Sequence, residues 1–250
     1  MRFFAPPRGG ILLGKRLYAA PTLRTEKLGA PGRFLFISDL HLRKEHPEAL
    51  SHLLAACGDV RADAVFLGGD LAEYEDGREK CLKALSERFA GLPIFAVPGN
   101  NDRYEEDENR AKERAQYEGF GIRLLLNERA DFTVNGVKVQ VVGVDDALRH
   151  EPRAEGLFDE GGYKVLLSHA PHSFLLKEQP DLFLSGHTHG GQINVCGLTA
   201  YLLNYEPYYR LAALAGTRRV GKTALLVSRG IGCSKLPVRV GANPEIHLIV

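Results

Sequence analysis

Only four cysteines occur in the 250 residues, and Cys57, Cys81, Cys196 and Cys233 stand far apart with no paired spacing. This excludes a disulfide framework and a cysteine-built zinc site, and it favours a reducing compartment, the cytoplasm. No apolar run approaches the roughly 18 residues that a membrane span needs. The short Ile11-Leu12-Leu13 stretch follows Pro6, Pro7, Gly9 and Gly10, too broken for a signal peptide. Net charge is only +1 at pH 7. A generally basic nucleic-acid binder is thereby disfavoured, and no stable nucleic-acid partner is expected. Repeats, low-complexity tracts and linkers are missing. With 44% hydrophobic and 25% charged residues the chain reads as globular. The expectation is a single domain over residues 1–250, with residues 1–33 as an N-terminal extension packed on or beside it.

The charge that is present is unevenly spread. Residues 1–33 sum to +6, residues 193–250 to +5, and the segment between them to −10. An acidic middle between basic ends suits a site that holds cations and then attracts anions; ordinary surface variation gives the same sums.

Short apolar runs bounded by Gly, Asp, Asn or Pro predict strands at 34–37, 64–67, 94–97, 122–126, 132–134, 137–142, 164–167, 182–184, 224–227 and 246–250. Asn135-Gly136 predicts a type I′ hairpin. After Pro47, the residues Leu50, Leu53, Leu54 and Cys57 share one helical face; Cys81, Leu82, Leu85 and Phe89 share another. Residues 105–118 predict a charged surface helix with Ala111 and Ala115 as its buried side. Strands and helices alternate at first and strands dominate later, which predicts an α/β fold of parallel βαβ units followed by antiparallel material.

The chemistry lies just after the strands. The run 34–37 leads into Ser38-Asp39-Leu40-His41, and 64–67 into Gly68-Gly69-Asp70. The run 94–97 leads into Pro98-Gly99-Asn100-Asn101-Asp102, 164–167 into Ser168-His169, and 182–184 into Ser185-Gly186-His187-Thr188-His189-Gly190-Gly191-Gln192. Ligand sites in open α/β sheets form beyond the carboxyl ends of strands. Taken singly, each Asp is a helix cap and each His a structural residue. Five strand ends delivering Asp, Asn or His together predict a metal centre, because these side chains suit hard-to-borderline cations.

These blocks, in this order from Phe34 to Gln192, resemble the signature of the calcineurin-like metallophosphoesterases. The Gly-Gly-Gln extension and the segments 228–232, 236–239 and 244–246 are similar to the bacterial YkuE/YaeI-like phosphodiesterase subgroup. The resemblance implies a four-layer α-β-β-α sandwich with two central mixed sheets. It implies a first divalent cation on Asp39, His41, Asp70 and His189, and a second on Asp70, Asn100, His169 and His187. Asp70 would bridge, with a metal-bridging hydroxide as nucleophile toward a phosphodiester or diphosphate bond. Manganese is the first choice of metal, with iron or zinc as alternatives.

One position departs from the family pattern. Asn101 stands where the family carries a histidine that donates a proton to the leaving group or binds phosphate. An amide donates a hydrogen bond but delivers no proton near neutral pH. Asn101 is therefore expected to bind a phosphoryl oxygen, with His46 or His172 as candidates for a substitute acid. Of the later cations, Arg229 and Arg239 lie in family-like segments and are expected to contact substrate phosphate. Arg210, Arg218, Arg219, Lys222 and Lys235 are expected to be solvated, and Tyr201, Tyr205, Tyr208 and Tyr209 to pack a loop.

The substrate is expected to be a small phosphorylated molecule. One alternative is a lipid-linked nucleotide sugar of the UDP-diacylglucosamine type, hydrolysed at the inner membrane face and reached through the basic, Phe/Leu-containing N-terminus. An alternative of another class is a non-catalytic binding module on the same fold. Retention of all seven ligand residues argues against it.

Overall fold

The structure, a computed structural model, describes residues 11–13, 20–102, 107–146, 150–171, 179–195, 198–199, 215–234 and 236–250. In chain order the elements are β1 (Ile11–Leu13), β2 (Thr22–Glu26), β3 (Phe34–Ile37), α1 (Glu48–Cys57), β4 (Ala64–Leu67), α2 (Glu75–Arg88), β5 (Ile94–Ala96) and α3 (Asp107–Gly119). There follow β6 (Ile122–Leu124), β7 (Glu128–Val134), β8 (Val137–Gly143), β9 (Tyr163–Leu167), β10 (Leu182–Ser185), β11 (Asn194–Val195) and β12 (Leu198–Thr199). The last are β13 (Gly216–Val220), β14 (Thr223–Val227), β15 (Val238–Val240) and β16 (Glu245–Ile249).

Two six-stranded mixed sheets form the centre, ordered β2-β16-β3-β4-β5-β6 and β13-β14-β10-β9-β8-β7. Strands β3 to β6 run parallel to one another, as do β8, β9, β10 and β14. Strand alternation divides the side chains between layers. Phe34 and Phe36 of β3 enter the core between the sheets, with Phe66, Phe95, Val139, Val165 and Leu184. Leu35 and Ile37 face the other way, onto Leu53, Cys81, Leu85 and Tyr117 of the helices. The aromatic pair Phe34–Phe66 meets edge to face at 5.4 Å, a geometry the ring quadrupoles favour. The outer face of the second sheet, with Leu166 and Phe183, is packed by Ala154, Leu157 and Phe158. This is the α/β architecture with two central mixed sheets that the sequence resemblance implies.

The predicted strands form, 34–37 and 64–67 with the expected ends and the others with ends shifted by up to four residues. Among the described residues six further strands form that the apolar runs did not predict, β1, β2, β11, β12, β13 and β15. Thr22-Leu23-Arg24-Thr25-Glu26 of β2 is an edge strand lying half in solvent, so burial imposes no alternation on it. It pairs in parallel with β16, Thr22 opposite Glu245 through Glu26 opposite Ile249, while β1 pairs with β15. The expected buried side of α3 is corrected: Ala111 and Ala115 are exposed, and Glu113 and Tyr117 are buried. Tyr117 joins the apolar core, whereas Glu113 meets polar groups: Arg78 of α2 lies 3.6 Å from it and bonds Gln116 at 2.8 Å. Apolar periodicity is blind to a helix that buries charge. Burial first, then the charge of Asp102, pushes the Glu113 carboxyl up to about 8.

Beneath β2 lies a second buried charge cluster. His247 of β16 stands 3.4 Å from Glu26 and 3.5 Å from Glu245, and Arg229 bonds Glu245 at 3.0 Å. Burial alone would lower the His247 pKa; the carboxylates of Glu245 and Glu26 outweigh it, and the net shift is upward. The folded protein therefore binds a proton here more tightly than the unfolded chain does. Its stabilising contribution is complete below the unfolded value of about 6.5 and is lost as pH rises through the higher folded value. Urea unfolding should accordingly show stability falling above about pH 6.5. His247→Gln should reduce that slope, to which Glu113 and His169, raised to about 8 and about 9, also contribute; an unchanged slope would remove His247 as one of its sources.

Candidate metal centre

The carboxyl ends of β3, β4, β5, β9 and β10 converge where the two sheets meet, and all seven predicted ligand residues follow them. The loops after β3 and β4 zip together: Asp39 N–H bonds Gly69 O, His41 N–H bonds Asp70 O and Leu42 N–H bonds Leu71 O, each at 3.0 Å. Asp39, His41, Asp70, His187 and His189 all adopt left-handed backbone angles, with φ of 54°, 44°, 53°, 68° and 50°. Such angles cost non-glycine residues free energy and persist where surrounding bonds over-determine them. Gly186 lets the His187 loop approach, since a Cβ there would collide with Ser38 Oγ and Asp39 Oδ2. Gly99 does the same beside the Asp70 carboxylate.

The donor atoms fall into two overlapping groups. Asp39, His41 and His189 offer ligand atoms within 4.8 Å of one another, and so do Asp39, Asp70 and His169. His41 Nε2 lies 3.1 Å from His189 Nε2, and His187 Nδ1 lies 3.1 Å from His169 Nε2. His169 Nε2 also lies 3.0 Å from Asn100 Oδ1. Asp39 is common to both groups, and Asp70 Oδ2 is 3.3 Å from His41 Nε2 and 3.5 Å from His169 Nε2. Imidazole nitrogens aimed at one another, beside two buried carboxylates, form a donor set suited to divalent cations of the manganese, iron or zinc kind. The residues present therefore fit the metals that the sequence resemblance implies.

Electrostatics point the same way. Asp39 is fully buried, and desolvation raises its pKa, with the Asp70 charge adding to the effect. For Asp70 burial is outweighed by His169, His41 and the Asn101 hydrogen bonds, which lower it. Burial opposes the charging of His169, but Asp70 and Asp39 raise it to about 9. His189 is pushed well below its ordinary value by burial, His41 and Arg239. Two carboxylates thus seek positive charge from imidazoles that hold it at a desolvation cost, and cations would relieve both.

The other expected site residues divide. Asn101 lies at the centre, its backbone N–H donating to Asp70 Oδ1 at 2.8 Å and its amide to Asp70 Oδ2 at 2.7 Å. Arg229 and Arg239 do not have the exposure that substrate contact requires. Both are fully buried: Arg229 on Glu245, Arg239 on the carbonyls of Gly232, Arg229 and Ala242. Arg239 Nη2 stands 3.0 Å from His189 Nδ1, so it reaches the centre from behind. The expected phosphate fork is corrected to an interior cation, held there because a buried guanidinium must satisfy its donors. His46 is 3.2 Å from Glu48. Arg218, Arg219 and Lys222 lie on the β13–β14 hairpin, where Arg219 and Lys222 are exposed and Arg218 half-buried. Arg210, Lys235, His172, Cys196 and Tyr201, Tyr205, Tyr208 and Tyr209 lie outside the described residues.

Of three supporting acids, Glu73 and Asp146 escaped the sequence reading, and Asp102 stood in its strand-end block without a role. Glu73 meets His41 Nδ1, and no sequence signal announces it, because the contact depends on the zipped loops. Asp102 Oδ2 accepts from the N–H groups of Asp70 at 2.6 Å and Gly99 at 2.9 Å. Asp146, just beyond β8, lies close enough to raise the pKa of His169. The strand-end rule that found the other ligands would have found Asp145-Asp146.

Comparison with known proteins supplies the family. The model of the calcineurin-like phosphoesterase family matches residues 32–191. The uncharacterised protein YpbG of Bacillus subtilis is 35% identical over 228 residues, covering 88% of this chain and 80% of its own. The phosphodiesterase YaeI of Escherichia coli is 27% identical over 227 residues, covering 88% and 82%. Among solved structures, the phosphopantetheinyl hydrolase PptH of Mycobacterium tuberculosis shares the fold at a TM-score of 0.50 and 13% identity, over 83% of this chain and 94% of that one. The strand-end donors, the two mixed sheets and a match over more than half the sequence agree: the chain belongs to the calcineurin-like phosphoesterase family, the metal-dependent phosphoester hydrolases.

Proposed function

We propose that the protein hydrolyses a phosphodiester or diphosphate bond at a centre holding two divalent cations. The observation that carries this reading is the placement of Asp70 Oδ2 between His41 and His169, 3.3 Å and 3.5 Å away. Asp39, His41, Asp70 and His189 would hold the first cation. Asp70, Asn100, His169 and His187 would hold the second. When bound, the pair supplies Lewis-acid polarisation of the phosphoryl group and lowers the pKa of water, so that no protein base is required. Manganese fits the mixed nitrogen and oxygen donors, with iron or zinc as the alternatives.

The chain's own residues set the geometry. Asn101 and Asp102 fix Asp70 from both sides, one by donating to its carboxylate and the other by accepting from its N–H. Glu73 orients His41 by accepting from the Nδ1–H that faces away from the centre, and Arg239 packs behind the His189 ring. The amide of Asn101 has two N–H donors; with one on Asp70, the other would meet a phosphoryl oxygen. The substrate in this reading is a phosphorylated small molecule or a lipid-linked one. The non-catalytic alternative leaves the convergence of all seven donors without a purpose.

Two experiments test the reading. Manganese-loaded protein should hydrolyse bis(p-nitrophenyl) phosphate, and chelation should abolish the activity. Asp70→Ala should lower turnover more than loss of any ligand that serves one cation, by on the order of 100-fold or more. Wild-type turnover and metal content in Asp70→Ala would end the bridging assignment.

The second test concerns leaving groups. An alkoxide needs a proton as it departs, whereas phosphate and aryloxide need little help. Asn101 supplies none, so aryl diesters and diphosphates should be cleaved faster than alkyl monoesters. Asn101→Ala should cost on the order of 10-fold in kcat/KM, and Asn101→His should raise activity on poor leaving groups more than on good ones. Equal wild-type rates on alkyl monoesters and aryl diesters would show that another group delivers the proton.

A further inference from the structure

Beside the metal centre, three short strands present an apolar outer face. In the β1–β15 ladder Ile11 lies opposite Val240 and Leu13 opposite Val238, and directly opposed residues share a face. Ile193 bridges Val240 in parallel, which carries the surface on to β11 and Val195. The inner face belongs to the site. Leu12, opposite Arg239, packs on the core, and Arg239 reaches His189. The outer residues are open to solvent: Ile11 is 63% exposed, Leu13 58% and Val195 53%. Leu236, two residues before Val238, is 57% exposed. Gln192, at the end of the loop that carries His187 and His189, donates to the carbonyls of Leu236 and Val238 at 2.7 Å and 3.0 Å. The apolar face is thus tied to the ligand loop itself.

A small sheet packed on one side ordinarily alternates apolar and polar residues, so apolar side chains on both faces indicate a covered surface. The sequence around it names the chemistry. Arg8 stands three residues before Ile11, and Lys15 and Arg16 stand two and three residues after Leu13. No Asp or Glu precedes Glu26, and Lys235 directly precedes Leu236. A second copy of the chain placed on this face would bring like charges together. Apolar side chains whose sequence neighbours are cations without acids match the chemistry of an anionic bilayer.

We propose that the outer face of β1, β15 and β11 docks on an anionic lipid surface and presents the centre to phosphorylated lipid headgroups. The choice of substrate rests on the phosphoesterase reading; the docking does not.

The test is sedimentation of the full chain with vesicles of phosphatidylcholine alone and of phosphatidylcholine mixed with phosphatidylglycerol. The protein should pellet with the mixed vesicles and much less with the neutral ones, and added salt should weaken binding. Ile11→Asp with Leu13→Asp should weaken it by on the order of tenfold or more, and Val195→Asp, on a different strand, should act in the same direction. Hydrolysis of soluble bis(p-nitrophenyl) phosphate should be unchanged in both variants. No binding by the wild type, equal binding to the two vesicle types, or undiminished binding by both variants would overturn the proposal. So would a wild-type dimer that Ile11→Asp dissociates, which would make the face an interface between copies. Vesicle binding by a wild type that cleaves no diester would leave docking standing and refute the catalytic reading instead.

Discussion

Two carboxylates, Asp39 and Asp70, are buried side by side in the seam between two sheets, and the site depends on making that arrangement tolerable. Buried like charges repel and lose their hydration, so they persist only with positive charge or donors around them. The protein provides four imidazoles, the two N–H donors of Asn101 and the Ser38 hydroxyl, which donates to Asp39 at 2.5 Å. Divalent cations would complete the set, and in the proposed reading one carboxylate serves both.

This constraint reaches into the backbone. A carboxylate and an imidazole two residues apart, Asp39 and His41, can both turn toward the seam only if the loop leaves the extended conformation. The left-handed angles at these residues and at Asp70, His187 and His189 are how it does so. The strain is held by the ladder between the loops after β3 and β4 and by glycines where loops meet side chains at van der Waals limits. Behind the histidines stand Glu73 and Arg239, and Arg239 leads on through the Arg229 carbonyl to the Glu245–His247–Glu26 cluster under β2. Strand β2 and the metal centre are therefore connected through polar contacts in the interior.

Much of this was legible in the sequence, for a physical reason. Strands buried on both faces must be continuously apolar, so Phe34–Ile37, Ala64–Leu67 and Leu182–Ser185 declare themselves, and the polar residues after them mark the site. Edge strands such as β2 and β13 lie half in solvent and carry no such signature. The buried side of α3 was hidden because it is partly polar: Glu113 answers to Arg78 and Asp102, partners distant in sequence. Arg229 and Arg239 were misread for the same reason. An arginine in a family-like segment reads as a phosphate contact, and only the packing shows that both are buried, Arg239 on interior carbonyls and Arg229 on the Glu245 carboxylate.

The central claim is that Asp70 lies between two cations. Anomalous diffraction from crystals grown with manganese tests it directly. The account predicts two peaks flanking the Asp70 carboxylate, one against Asp39, His41 and His189 and the other against Asn100, His169 and His187. A single peak, or peaks that leave Asp70 uncoordinated, would contradict it.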